Sequence, residues 1–120
     1  MTSQPIYHVC RREEWKAGKA AGVYQGSSQD ISDGFIHFST SAQVRRSAAK
    51  HRAGQSGLEL LTVEPSALGD FLRWEPSRAG ELFPHLYGAL LLTAVLRVDD
   101  LPLGPDGLHV FPPPFAPVVS

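Results

Sequence analysis

The stretch Asp33-Gly34-Phe35-Ile36-His37-Phe38-Ser39-Thr40-Ser41-Ala42-Gln43 constrains the fold more than any other part of the chain. Asp33-Gly34 is a turn signal. The aromatic and β-branched run after it reads as a short strand. Thr40-Ser41-Ala42-Gln43 has the form of a capping box, in which the Thr40 hydroxyl accepts from first-turn amides and Gln43 reaches back to the Thr40 amide. A strand that hands directly to a helix leaves few topologies open. On that strand Phe35, His37 and Ser39 share one face, and Ile36 and Phe38 share the other. An imidazole set between phenylalanines must find a hydrogen-bond partner or do chemical work, because an unpaired polar group in apolar surroundings is costly.

Upstream, Ile6-Tyr7-His8-Val9 reads as a strand with Tyr7 and Val9 facing one way and Ile6 and His8 the other. Residues 11–21 read as a helix. Glu13 and Glu14 lie where the helix dipole favours acids, and Gly22 is the stop. Val23-Tyr24 is a brief strand, and residues 25–32 are a polar loop. Downstream, residues 41–51 form a second helix with Val44, Ala48 and His51 along one side. Its outer face carries Arg45, Arg46, Lys50 and Arg52, either as a solvated surface or as a grip on an anion.

Leu58-Glu59-Leu60-Leu61-Thr62-Val63 is the clearest strand. Residues 64–69 make a turn or a single helical turn. Phe71-Leu72-Arg73-Trp74-Glu75 is a strand stopped by Pro76, residues 77–80 are a loop, and residues 81–88 form a segment that Pro84 marks as an edge strand or a bend. In the apolar run 90–98 a turn precedes a strand over Val95-Leu96-Arg97-Val98. Beyond residue 100 the prolines at 102, 105, 112–114 and 117 leave little room for regular structure. Five to seven short strands and two N-terminal helices, without regular alternation, predict an α+β fold with a largely antiparallel sheet. A chain of 120 residues with 42% hydrophobic content suits a single domain over 1–120, with its core at about 5–100 and a surface-wrapping tail at 101–120.

The formal net charge of −1 gives no basic field to attract nucleic acid. The single cysteine, Cys10, excludes an intrachain disulfide and a cysteine-rich zinc site. No apolar run approaches the roughly 20 residues of a membrane span, and the N-terminus lacks the pattern of a signal peptide, so a cytoplasmic location is expected. The oligomeric state is not legible. There is no Gly-rich phosphate loop, His-Glu-x-x-His, nucleophile elbow or Cys-x-x-Cys. What remains is a set of polar residues planted in apolar strands: His8, His37, Glu75, Glu81 and His85, with Tyr7 and Tyr87 beside two of them. A regular pleat puts Glu81, His85 and Tyr87 on one face. Convergence of such residues in one cleft is the usual build of a small active site. Glu75 and Glu81 are equal candidates for its carboxylate. Two histidines and a carboxylate from separate strands also admit zinc or iron, although no metal-ligand spacing requires one.

Ile6-Tyr7-His8, Asp33-Gly34-Phe35-Ile36-His37-Phe38-Ser39-Thr40, Arg73-Trp74-Glu75-Pro76 and Gly80-Glu81-Leu82-Phe83-Pro84-His85-Leu86-Tyr87-Gly88 resemble the motifs of the small bacterial domain-of-unknown-function family 952. That family is similar in fold to ADP-ribosyltransferases and RNA 2′-phosphotransferases. The resemblance implies two small, mostly antiparallel sheets forming a cleft, with N-terminal helices and an irregular Pro-rich tail. It also implies NAD or a related nucleotide as the small-molecule substrate. By the same resemblance His8 bonds a ribose hydroxyl, His37 packs near the nicotinamide, and Glu81 stabilises the positive charge that develops on the ribose. Tyr7, Ser39, Thr40, His85 and Tyr87 complete the implied nucleotide-binding set. The chain has His37 where many of the transferases have tyrosine, and its first strand runs into Val9-Cys10-Arg11 rather than Gly-Thr. Two other readings stay open: a non-catalytic ligand-binding or interaction module on the same fold, and a metal-dependent hydrolase.

Overall fold

The computed structural model describes residues 4–77 and 80–112. In chain order the elements are β1 (Ile6–Arg11), α1 (Arg12–Ala21), β2 (Val23–Tyr24), α2 (Ser28–Asp33), β3 (Ile36–His37), α3 (Val44–His51), β4 (Leu58–Val63), β5 (Leu72–Pro76), β6 (Leu82–Leu86), β7 (Leu90–Leu91) and β8 (Val95–Leu101). Short 3-10 turns at Pro65–Ala67, Gly69–Phe71 and Leu92–Ala94 link the later strands. The fold is α+β with three antiparallel sheets, ordered β1-β4-β8, β2-β7 and β3-β6-β5. Residues 78–79 of the expected loop at 77–80 and residues 113–120 of the Pro-rich tail lie outside the described residues.

β4 is the centre of the largest sheet. It carries leucine or valine on both faces, interrupted only by Glu59 and Thr62, because both faces are covered. Leu61 and Val63 enter a core cluster with Ile6, Cys10, Trp15, Tyr24, Ile36, Phe38, Leu86 and Leu90. Leu58 and Leu60 enter a second cluster with Tyr7, Val44 and Leu101 on the opposite face. β1 divides its side chains the same way, as the alternation of Ile6 and His8 against Tyr7 and Val9 predicts. His8 therefore points toward the larger cluster.

Four sequence expectations change. Residues 25–32 are not all loop. Ser27 caps α2, its hydroxyl accepting from the Asp30 amide at 3.2 Å while the Asp30 carboxylate accepts from the Ser27 amide at 2.7 Å. The second long helix begins at Val44, not residue 41; the residues before it form a turn in which the amides of Gln43 and Val44 both bond the Thr40 carbonyl, each at 3.0 Å. The Gln43 side chain does reach back to the Thr40 amide, at 3.0 Å. There are three sheets where two were expected. Tyr24 is drawn into the core and Leu90, its partner across the pair, is fully buried, so β2 and β7 pair with each other rather than extending a larger sheet. The last strand, β8, continues to Leu101 because its end pairs along the full length of β4.

Pro84 sits in the central strand of the third sheet rather than at an edge. It is tolerated because of where β3 stops. Ile36 and His37 pair with Leu86 and His85, and the next residue, Phe38, donates to the Pro84 carbonyl at 3.0 Å. The return bond would need the N–H that proline lacks. Pairing ends there, and Ser39 instead exchanges two backbone bonds of 2.8 Å with Tyr7 of β1. The segment from Phe35 to Ser39 thus crosses from one sheet to another, with Ile36 and Phe38 in the core and His37 facing outward.

Candidate functional site

The structure organises the site around Asp30, in the segment that reads from sequence as a polar loop. Its side chain is only 3% exposed. One oxygen accepts from the His37 amide at 3.1 Å and from His37 Nδ1 at 2.5 Å. The other accepts from the Ser27 amide at 2.7 Å. Burial opposes ionisation of this carboxyl, but the bonds from His37 and from the Ser27 and His37 amides outweigh it and hold Asp30 at about 2. Space for it comes from Gly26, which has φ +99°, and a Cβ there would lie 2.7 Å from the Asp30 Cβ. Only glycine meets both conditions readily. The Asp30 backbone carbonyl also receives the Gly34 and Phe35 amides, so this one residue fixes the whole entry into β3. The available sequence signal was Ser27-Ser28-Gln29-Asp30, a Ser-x-x-Asp capping box.

His8 and His37 meet at this hub. A carbonyl only accepts, so His8 Nδ1–H donates to the His37 carbonyl at 2.6 Å, and Nε2 accepts from the Tyr24 hydroxyl at 2.7 Å. Complete burial pushes the His8 pKa down, which agrees with this neutral form. Both His8 nitrogens are therefore engaged inside the protein. Burial raises the Tyr24 hydroxyl and pushes the nearby Cys10 thiol up to about 12, so Cys10 is an inert core residue. His37 differs from His8. Its side chain is 41% exposed, and its Nε2 lies 3.1 Å from an Asp33 carboxylate oxygen.

His85 stands opposite His37 in the β3–β6 pairing, with ring centroids 5.6 Å apart. His85 Nδ1 bonds Glu75 at 2.8 Å, and the same Glu75 oxygen accepts from the Tyr87 hydroxyl at 2.7 Å. The Tyr87 and His85 hydrogen bonds lower the Glu75 pKa, and the Glu75 bond raises that of Tyr87. Phe35 stacks on His85 at 4.2 Å and packs against His37 at 4.5 Å and Tyr87 at 5.2 Å. Arg73 lies over the Tyr87 ring.

An open cleft of about 870 Å³ runs past these groups, bordered by Tyr7, His8, Asp30, Asp33, His37, Ser39, Glu81 and His85. Arg11, Arg46, Lys50 and Arg52 also border it. His8, His37 and Glu81 are thus brought to one opening. Glu81 is on its rim, held by Arg46 through two bonds of 2.8 and 2.9 Å. Glu75 and Tyr87 stand behind His85 rather than on the cleft wall, and Thr40 serves the α3 entry through its backbone. Among the described residues, no group of three or more His, Cys, Asp or Glu side chains is arranged to hold a metal ion. No helix among them is long and apolar enough to cross a membrane.

An α+β domain of three small antiparallel sheets, with carboxylate-anchored histidines along an open cleft, is the class that fold and site define. The chain belongs to the protein family of unknown function DUF952, whose profile matches residues 9–98. It is similar to protein CC0527 from Caulobacter crescentus. The crystal structure of that protein is 48% identical with a TM-score of 0.86, covering 89% of this chain and 94% of that one. Its solution structure is 49% identical with a TM-score of 0.78, covering 87% and 90%. A comparison with curated proteins found no match.

Proposed function

We propose that the cleft is a nucleotide site of the ADP-ribosyltransferase type, taking NAD or a related nucleotide as substrate. The supporting observation is that His8, His37 and Glu81, far apart in the chain, border one opening. In this reading the exposed His37 imidazole meets the nicotinamide side of the ribose. His8 sets the height of the His37 backbone and reaches a ribose hydroxyl only by exchanging its bond to Tyr24. Glu81 stabilises the oxocarbenium character of the ribose as nicotinamide leaves. An anion fixed beside developing positive charge is effective where water is excluded. The Arg46 guanidinium would move from Glu81 to a nucleotide phosphate and so release the carboxylate. Tyr7, Ser39 and His85 are the remaining positions proposed to shape the pocket, with Tyr87 supporting His85 through Glu75 and Thr40 holding the entry to α3.

The test is calorimetric titration with NAD, followed by chromatography for released nicotinamide. Binding is expected. His37→Ala should weaken it about tenfold, while Glu81→Gln should keep binding and lower nicotinamide release on the order of 100-fold. No heat of binding at millimolar NAD would sink this reading. A second reading has one observation in its favour: the two-bond pairing of Glu81 with Arg46 occupies the carboxylate. A non-catalytic module on this fold would bind nucleotide and release no nicotinamide.

A further inference from the structure

We infer that His37 and His85 form an acid–base pair that hydrolyses an anionic phosphodiester by in-line displacement with water. This goes beyond the ADP-ribosyltransferase reading. It uses the same cleft but needs neither NAD nor Glu81. The two residues are directly opposed on adjacent antiparallel strands, so their side chains share a face, and the rings lie 5.6 Å apart. One imidazole anchored by a carboxylate is ordinary packing. Here there are two, each held at Nδ1 by a carboxylate from a different element, Asp30 and Glu75. Tyr87 fixes Glu75 from behind, and Phe35 packs on both rings. With both Nδ1 atoms engaged, a substrate would meet the rings at Nε2, at His37 beside the Asp33 carboxylate, and both residues border the cleft.

The two Nε2 positions are not equivalent. His37 Nε2 lies 3.1 Å from Asp33. An anion at that distance favours a proton on that nitrogen, so it is the donor position. His85 Nε2 has no hydrogen-bond partner among the described residues, and it is not a buried orphan, so it is the acceptor position. Asp30, Asp33 and the His8 ring surround His37. Glu75, Tyr87 and, opposite in register, Arg73 surround His85. His85 Nε2 takes a proton from water as its oxygen forms a bond to phosphorus. The phosphorus–oxygen bond to the leaving alcohol breaks, and His37 Nε2–H protonates the departing oxygen. Solvent then restores both rings, and no oxidant, reductant or cofactor is consumed. Paired acid and base at neutral pH suit phosphate esters because the attacking and leaving oxygens both need proton transfer. Lys50 and Arg52 on the walls offer cationic contacts to a phosphate, beside the acids Glu14, Asp30, Asp33 and Glu81 that border the same cleft.

The probe is 2′,3′-cyclic AMP, whose strained ring makes it a reactive phosphodiester, with the full-length protein and phosphorus NMR as readout. Conversion to a nucleoside monophosphate is expected, with a bell-shaped pH–rate profile. His37→Gln and His85→Gln should each lower kcat on the order of 100-fold or more. The acid must be protonated, so His37→Gln should lose the alkaline limb. The base must be unprotonated, so His85→Gln should lose the acid limb. Asp33→Asn, at an exposed position, should move the alkaline limb to lower pH, and it decides the question if either histidine variant fails to fold. No monophosphate from the wild-type protein overturns the pair, as does a His85→Gln or Asp33→Asn profile identical to wild type. Failure of NAD binding overturns only the earlier reading.

Discussion

The two three-stranded sheets are built on different terms. In the β1-β4-β8 sheet the central strand is apolar on both faces and feeds two core clusters. In the β3-β6-β5 sheet only one face feeds a core cluster. Ile36 and Leu86 are buried there, and Leu72 packs against them, while the opposite face carries His37, His85 and Arg73 in register. The first sheet is held by area removed from water, and the second by a polar network whose hub is one buried carboxylate. Where packing alone does the holding, any apolar residue of suitable shape will serve. Where a network does it, each member has a specific partner, and that is where chemistry can be placed.

The largest expected effect tests the first half of that contrast. Leu61 is fully buried in the β4 core, so Leu61→Ala should cost about 2–5 kcal/mol by urea denaturation. Next comes Asp30→Ala, which removes a capping partner and orphans the His37 amide. We expect roughly 2–3 kcal/mol, with the loss of His37 order visible by NMR. An Asp30→Ala cost larger than that of Leu61→Ala would invert the comparison.

The third prediction is a pH dependence. Asp30 sits at about 2 in the folded chain against an ordinary 3.8, so folding favours its ionised form. That contribution, roughly 2 kcal/mol, is complete above the unfolded value and is lost as pH falls through the folded one. Stability of the wild type should therefore drop between about pH 4 and pH 2, and Asp30→Asn should flatten that slope. The smallest effect belongs to the rim. The Arg46–Glu81 pair is mostly exposed, and a double-mutant cycle should return about 0.2–1 kcal/mol. A larger coupling would move the rim into the stabilising framework.

The same contrast explains what could be read from the chain. β4 was legible because its apolar run needs no partner to be recognised, and α1 because its acids and Gly22 mark its ends. α2 was not legible. It has no apolar stripe, and Ile31, its one large hydrophobic residue, is exposed. It is held by the Ser27–Asp30 box, and a Ser- and Asp-rich segment otherwise reads as loop. Asp30 is hidden for that reason, whereas His8, His37, Glu81 and His85 stand out as polar residues in apolar company. Pro84 reads as an edge strand or a bend because the place where β3 stops depends on Ser39 finding Tyr7, a contact made across the fold.

That crossing has a consequence for how the molecule comes apart. Ser39 and Tyr7 are joined by two backbone bonds, while Phe38 still donates to Pro84 in the other sheet. Neither sheet can open along this seam without breaking the other's terminal pairing. Amide hydrogen exchange at Ser39 and Tyr7 should then proceed only through global unfolding, so that the histidine-bearing sheet and the apolar one melt as a single cooperative unit.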